Sequence, residues 1–391
     1  ALAWAHAEEF YLPEEVLKFC SDRVKSKLVE YQEWHTRFDL WAEQNTALAS
    51  ALTEQRDRKL PAVLKQELVD EYASQEEKVA TRALSGKVIQ TLAKHLPNLI
   101  GGSADLEPSN KTMILNSSDI ARKEYGGANV RFGVREHAMG SIINGLAYER
   151  LWYPYTGTFL VFSDYMRPAL RLAALSHLQS LFIFTHDSFW VGEDGPTHQP
   201  IEHIMSLRLI PNLHVYRPAD SLEVALCYLS ALEYSSGPSA LLFTRQGVEP
   251  LRRDTDFAVD QVLRGGYVVC CADRPDVVLV ATGSEVALAQ SCVPLLTQLG
   301  IQASVVSLPC WEVFLQQDQV YQDCVLPPGV KRVSIEAGTT LGWEDLLGTN
   351  TLSIGIDHFG TSAPGADLAI EFGFTPEIIT KKVTAWFQRK L

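Results

Sequence analysis

Apolar residues recur along this chain with two different periods. Over residues 1 to about 75 the spacing is helical. Tyr31 to Leu52 forms an amphipathic run carrying Trp34, Phe38, Trp41 and Leu48, the pattern of a helix with one apolar face. Pro13-Glu14-Glu15 reads as a helix start with Pro in the first turn, and Leu60-Pro61 begins another. Leu84, Val88, Leu92 and Leu96 recur every four residues, which predicts a helix with one buried stripe. The stretch N-L-I-G-G-S-A-D-L then reads as a short strand running into a Gly-rich turn. From there the chain alternates: helix 137–149, strand 154–160, helix 164–177, the apolar strand Leu181 to Thr185, and a polar loop. Helix 201–209, strand 213–216, helix 219–234 and strand Ala240 to Thr244 follow.

Strand–helix alternation implies a mostly parallel, doubly wound sheet. A charged linker over 251–262 precedes a second unit with strands D-V-V-L-V-A-T, A-S-V-V-S-L-P, K-R-V-S-I-E-A and L-S-I-G-I-D. The predicted organisation is therefore α/β: a helical linker over 1–75, then two doubly wound, mostly parallel-sheet domains over 76–250 and 263–391. Ligand sites in such sheets lie at the carboxyl ends of the strands, where the loops after 101, 132, 158 and 185 fall. T-G-S-E-V opens a helix over 284–299, and its Ser and Glu read as a plain cap.

Composition narrows the function. The chain has 391 residues, 46% of them hydrophobic and 21% charged, with a net charge of −13. That is ordinary for a globular protein. It argues against nonspecific nucleic-acid binding and against an anionic membrane surface. No apolar run reaches ~18 residues, so no membrane span is expected, and no secretory signal pattern stands at the start. The seven cysteines show no C-x-x-C spacing. They read as reduced thiols in a cytoplasm-like compartment, or in an organelle after processing, with Cys270-Cys271 as buried strand packing. A start on Ala1 suggests a processed or truncated product.

Candidate chemistry collects in the first α/β unit. Glu136 stands in the first turn of a helix after a strand, where negative charge suits the helix dipole. Phe159, Phe162 and Tyr165 are spaced by three. His186, Asp194 and His198 lie along an irregular loop rather than at helical spacing, so proton transfer or sugar-hydroxyl contact is favoured over a metal site. Guanidinium forks suit phosphate, but a lone arginine such as Arg82 or Arg245 reads by itself as a solvated surface charge. His203 and His214 read as structural.

The strings G-V-R-E-H-A-M-G, P-Y-T-G-T-F-L-V-F-S-D-Y and T-H-D-S-F-W-V-G-E-D-G-P-T-H-Q-P closely resemble transketolase, in its pyrimidine-binding and C-terminal domains and over almost the whole chain. The resemblance implies a thiamine diphosphate enzyme that moves a two-carbon ketol unit between sugar phosphates. It implies that Glu136 is catalytic, meeting the aminopyrimidine N1′. Phe162 stacks on that ring with Phe159 and Tyr165 beside it, and Asp105 lies near the thiazolium. Asp194 binds the acceptor C2 hydroxyl. His186, with a catalytic role, and His198 meet substrate, and Arg82, Ser109 and Arg245 meet its phosphate. Gly140, Ser141 and Gly145 would let helices approach across a homodimer interface.

The family holds the diphosphate through Mg²⁺ on a G-D-G motif, and no G-D-G occurs in this sequence. The resemblance therefore implies that the ligands for Mg²⁺ and diphosphate come from a separate diphosphate-binding domain or subunit, and that this chain alone is inactive. It would be a fragment or one half of a split enzyme. Phe189-Trp190 are larger than the family's usual residues there and would pack on that missing domain or narrow the substrate funnel. The alternatives are dihydroxyacetone synthase, deoxyxylulose-phosphate synthase, or a non-catalytic assembly relative. Retention of Glu136, Asp105, Asp194, His186 and His198 argues against the last.

Overall fold

The computed structural model describes residues 9–388, which divide between two compact units, 9–59 and 60–388. In the first, Pro13 sits at φ −56° immediately before helix α1 (Glu14–Gln44). Its ring fixes φ and its missing N–H is one that a helix start leaves unpaired anyway. The Trp34 and Phe38 rings stack along one face at 5.3 Å. Asn45 interrupts the helix, α2 (Thr46–Asp57) follows, and Arg58 ends it in the left-handed region at φ 49°.

The larger unit begins with α3 (Leu64–Tyr72), whose Leu64, Leu68 and Tyr72 are buried. Residues 60–75, expected to belong to the linker, thus contribute to the core of this unit. Then come β1 (Val79–Ala80), α4 (Thr81–His95), β2 (Leu99–Ser103), the single turn α5 (Glu107–Asn110), α6 (Glu136–Tyr148), β3 (Tyr153–Phe159), α7 (Ser163–Leu175) and β4 (Leu181–Thr185). The first sheet is completed through α8 (His203–Arg208), β5 (His214–Tyr216), α9 (Ser221–Glu233) and β6 (Ser239–Phe243). Its order is β2-β3-β4-β6-β5, and every pairing is parallel. β7 (Gly247–Val248) pairs antiparallel with β1 and so clasps the two ends of this part of the chain.

β4 shows why its sequence is apolar without interruption. Leu181 and Ile183 join the core formed with α3, α4 and α9, whereas Phe182 and Phe184 join the core formed with α6, α7 and α8. A parallel strand covered on both faces has no polar side to display.

The second sheet contains β8 (Tyr267–Cys270), β9 (Val277–Ala281), β10 (Ala303–Ser307), β11 (Lys331–Ile335) and β12 (Thr351–Ile354), in the order β12-β11-β9-β10-β8. Only β8 runs antiparallel. Helices α10 (Glu285–Gln298), α11 (Trp311–Leu315), α12 (Gln319–Val325), α13 (Trp343–Leu347), α14 (Gly365–Glu371) and α15 (Pro376–Phe387) surround it. The two mostly parallel sheets match the expected fold class. Cys271, read as strand packing, lies beyond β8 and is exposed, and Cys270 is only partly buried. Among the described residues no helix is long and apolar enough to cross a membrane.

Candidate active site

Parallel pairing puts the carboxyl ends of β2, β3, β4 and β6 on one edge. Phe159 closes β3 opposite Thr185 of β4, and Thr185 lies opposite Phe243 of β6. Of the residues expected to act, Phe159 ends β3, and Asp105, His186 and Arg245 lie one or two residues beyond the ends of β2, β4 and β6.

An aromatic shelf forms there. The Phe159 and Phe162 rings are nearly parallel, with centroids 6.1 Å apart and planes 10° apart, and Tyr165 continues the row at 5.8 Å from Phe162. The His186 ring lies 3.9 Å from Phe159, and His198 meets Phe162 edge-on at 5.6 Å. Residues spaced by three in sequence are brought together by the turn between β3 and α7, and the loop histidines close on them. Tyr165 is exposed, so this shelf is open on one side.

His186 is held in the left-handed region at φ 63°, a conformation that costs a bulky residue energy and is kept where surrounding contacts fix it. Its Nδ1 lies 2.9 Å from Thr185 Oγ1, and Asn110 Nδ2 donates to that same oxygen at 2.6 Å. Arg82 Nη1 approaches His186 Nε2 at 3.5 Å. A donor at Nε2 assigns the imidazole proton to Nδ1. Burial, followed by the positive charges of Arg82 and Arg245, lowers the pKa of His186 to about 3. The ring is therefore neutral at pH 7.

Arg82 also donates to the Ser109 backbone carbonyl at 3.0 Å. Ser109 thus touches Arg82 through its carbonyl, and its hydroxyl bonds to no described residue. Burial, then the charge of Arg245, lowers the Arg82 pKa. Two guanidiniums that repel each other at a strand edge make a place for an anion.

Glu136 opens α6 and is buried, 7% exposed. It has no hydrogen bond or ion pair with any described residue, and its carboxyl oxygens reach solvent rather than being sealed in the core. Asp105 is exposed, at φ 61°, so its charge needs no buried partner. Asp194 is likewise exposed, and its carboxylate has no partner among the described residues. Gly140 also corrects the sequence reading. A Cβ there would lie 2.9 Å from both Ala169 and Met166, so this glycine lets α6 pack on α7 within the chain. Gly145 faces open space. His214 is buried between Tyr216 and Gln316, as a structural residue should be.

Phe189 and Trp190 pack within the chain. Phe189 is fully buried against Phe372 and Phe374, and Gly365 lies over the Trp190 ring. Sequence reasoning missed the ion network beneath. Arg217, fully buried, pairs with Asp187 at 2.8 Å and with Glu285. Its Nη1 also donates to Thr282. Burial disfavours its charge, but Glu285 and Asp187 outweigh that and raise its pKa. Glu285, read as a cap residue, is thus half of a buried pair between the two sheets. Arg208 adds a bidentate bond to Glu336 at 2.8 Å.

The residues present fit a flat heteroaromatic ring beside an acid. Phe159 and Phe162 offer a stacking surface, and Glu136 offers a solvent-reaching carboxyl that no described residue pairs.

Comparison with known proteins gives two family matches. Transketolase, pyrimidine binding domain, matches residues 77–250, and Transketolase-like TK C-terminal domain matches residues 265–375. A transketolase of Aquifex aeolicus is 44% identical over 97% of this chain and 55% of its own length. One of Geobacillus stearothermophilus is 44% identical over 98% of this chain and 58% of its own. The crystal structure of a Pichia stipitis transketolase in complex with sedoheptulose 7-phosphate superposes with a TM-score of 0.90 at 36% identity, covering 97% of this chain and 56% of that one. The chain thus spans little more than half the length of these relatives.

Proposed function

The chain belongs to the transketolase family, of which it carries the pyrimidine-binding and C-terminal domains, and we propose that it supplies the pyrimidine-facing wall of a thiamine diphosphate site that moves a two-carbon ketol unit from a ketose phosphate to an aldose phosphate. The observation that carries this reading is Glu136, a largely buried residue at the start of α6 whose carboxyl reaches solvent and pairs with no described residue.

When bound, thiamine diphosphate supplies the carbanion-stabilising chemistry. Glu136 would hold a proton at the pyrimidine N1′, and Phe162 would stack on that ring, flanked by Phe159 and Tyr165. Asp105 would stand near the thiazolium. Neutral His186 is suited to accept or relay a substrate hydroxyl proton near pH 7. His198 and Asp194 would take sugar hydroxyls. Arg82, Arg245 and the free Ser109 hydroxyl would hold the phosphate. The P. stipitis relative crystallised with a sugar phosphate supports that assignment.

Diphosphate and Mg²⁺ would be held by a diphosphate-binding domain or subunit outside these 391 residues, and the chain alone would be inactive. Exposed Ile142, Tyr148, Leu172 and Leu175 on α6 and α7 favour a homodimer through this face. The seven unpaired cysteines favour a reducing compartment.

The test is reconstitution. The chain, a separately made diphosphate-binding domain, Mg²⁺ and thiamine diphosphate should together convert xylulose 5-phosphate and ribose 5-phosphate. Activity only with formaldehyde as acceptor or with pyruvate as donor, or silence in a confirmed complex, would overturn the proposal.

A further inference from the structure

A second cluster lies where α7 and α8 begin. His203 was expected to be an ordinary structural residue, and its side chain is indeed 5% exposed. Yet its two ring nitrogens both face carboxylates. Nε2 is 3.2 Å from Asp164 Oδ2, and Nδ1 is 3.7 Å from Glu202 Oε2. Nδ1 is buried and has no hydrogen-bond partner.

A neutral imidazole carries one N–H. If Nε2 holds it, Asp164 accepts it, and the Nδ1 lone pair is left facing the Glu202 carboxylate. If Nδ1 holds it, the Nε2 lone pair faces Asp164 instead. In either tautomer a lone pair and an anion face each other with nothing positive between them. Neither acid has a lysine or arginine ion-pair partner among the described residues. The nearby Arg167 guanidinium is committed to Ser206, to its hydroxyl and its carbonyl, both at 3.0 Å.

We propose that Asp164, Glu202 and His203 bind a divalent transition cation of the Zn²⁺ type. One ligand atom from each residue lies within 4.8 Å of the other two. Ligands each ~2.0–2.2 Å from a tetrahedral Zn²⁺ stand ~3.3–3.5 Å apart, and the 3.2 Å separation of Nε2 from Asp164 Oδ2 is close to that spacing. One imidazole nitrogen with carboxylate oxygens suits Zn²⁺, Co²⁺ or Mn²⁺, whereas Ca²⁺ and Mg²⁺ want oxygen alone. Both acids are more than half exposed, so the ion has a path from solvent and room for water ligands. Its binding would tie α8 to the first turn of α7, the turn that carries Tyr165.

The test is titration of the chelator-treated full chain with Zn²⁺ by calorimetry, and with Co²⁺ by visible absorption. One equivalent should bind with Co²⁺ bands of nitrogen–oxygen character and without thiolate charge transfer. His203→Gln should weaken it at least tenfold. Glu202→Gln, at an exposed position, should do the same with an unchanged melting temperature. Equal binding in both variants, or no Zn²⁺ binding by the unaltered chain, would overturn the proposal.

Discussion

Arg217 Nε donates to Asp187 Oδ2 at 2.9 Å, and Asp187 directly follows His186. The same guanidinium reaches Glu285 at the start of α10. One buried arginine therefore ties the loop carrying the neutral histidine to the second sheet, and the placement of His186 depends on the second sheet as well as the first.

Removing that arginine strands two buried carboxylates. Arg217→Ala should cost about 3–5 kcal/mol of folding stability, read from urea unfolding. The reverse deletion, Asp187→Ala, leaves Glu285 still paired and should cost less. Equal costs would mean that the Glu285 pair contributes nothing.

Acid stability follows from two histidines. Burial lowers the pKa of His186 to about 3 and that of His214 to about 4, against 6.5 for an ordinary imidazole. Both folded values lie below the unfolded one. As pH falls below ~6.5, the unfolded chain gains protons that the folded chain refuses. Their contribution is intact above that pH and declines towards pH 4 and pH 3, by at most ~1.4 kcal/mol per pH unit for each residue. Unfolding free energies between about pH 7 and pH 5 should show this slope, and His214→Gln should remove one share of it. An unchanged slope in that variant would contradict the assignment.

The phosphate assignment predicts a split in kinetic constants. In the reconstituted enzyme, Arg245→Ala should raise KM for sugar phosphates roughly tenfold to a hundredfold, the size of one charge-assisted bond, with kcat little changed. Arg82→Ala should do more, because Arg82 also holds the Ser109 carbonyl. An unchanged KM for Arg245→Ala would remove that residue from the site.

The alternation of β4 with α7 and α8 was legible because a parallel sheet covered on both faces writes continuous apolar strands between amphipathic helices. The strand ends therefore pointed correctly to the edge where Phe159, His186 and Arg245 gather. Buried charge was not legible. Glu285 beside Ser284 looks like a cap in one dimension, and only the approach of β5 and its following Arg217 gives it a partner. Gly140 was ambiguous for the same reason, since a small residue on a helix fits an inner or an outer contact equally well. The Asp105 exposure and the inward packing of Phe189 and Trp190 likewise depend on neighbours distant in sequence.

The exposed apolar side chains of α6 and α7 predict self-association. Leu172→Glu, at a residue 53% exposed, should shift the chain towards monomer in sedimentation without lowering its melting temperature. An unaltered dimer would place the interface elsewhere.

The central measurement is hydrogen–deuterium exchange at thiazolium C2 of thiamine diphosphate, followed by NMR in the complex with the diphosphate-binding domain and Mg²⁺. Glu136→Ala should slow exchange by about 10²–10⁴-fold, the range of a positioned acid–base group, while the complex and its melting temperature persist. Exchange at the rate of the unaltered protein in that variant would contradict the account.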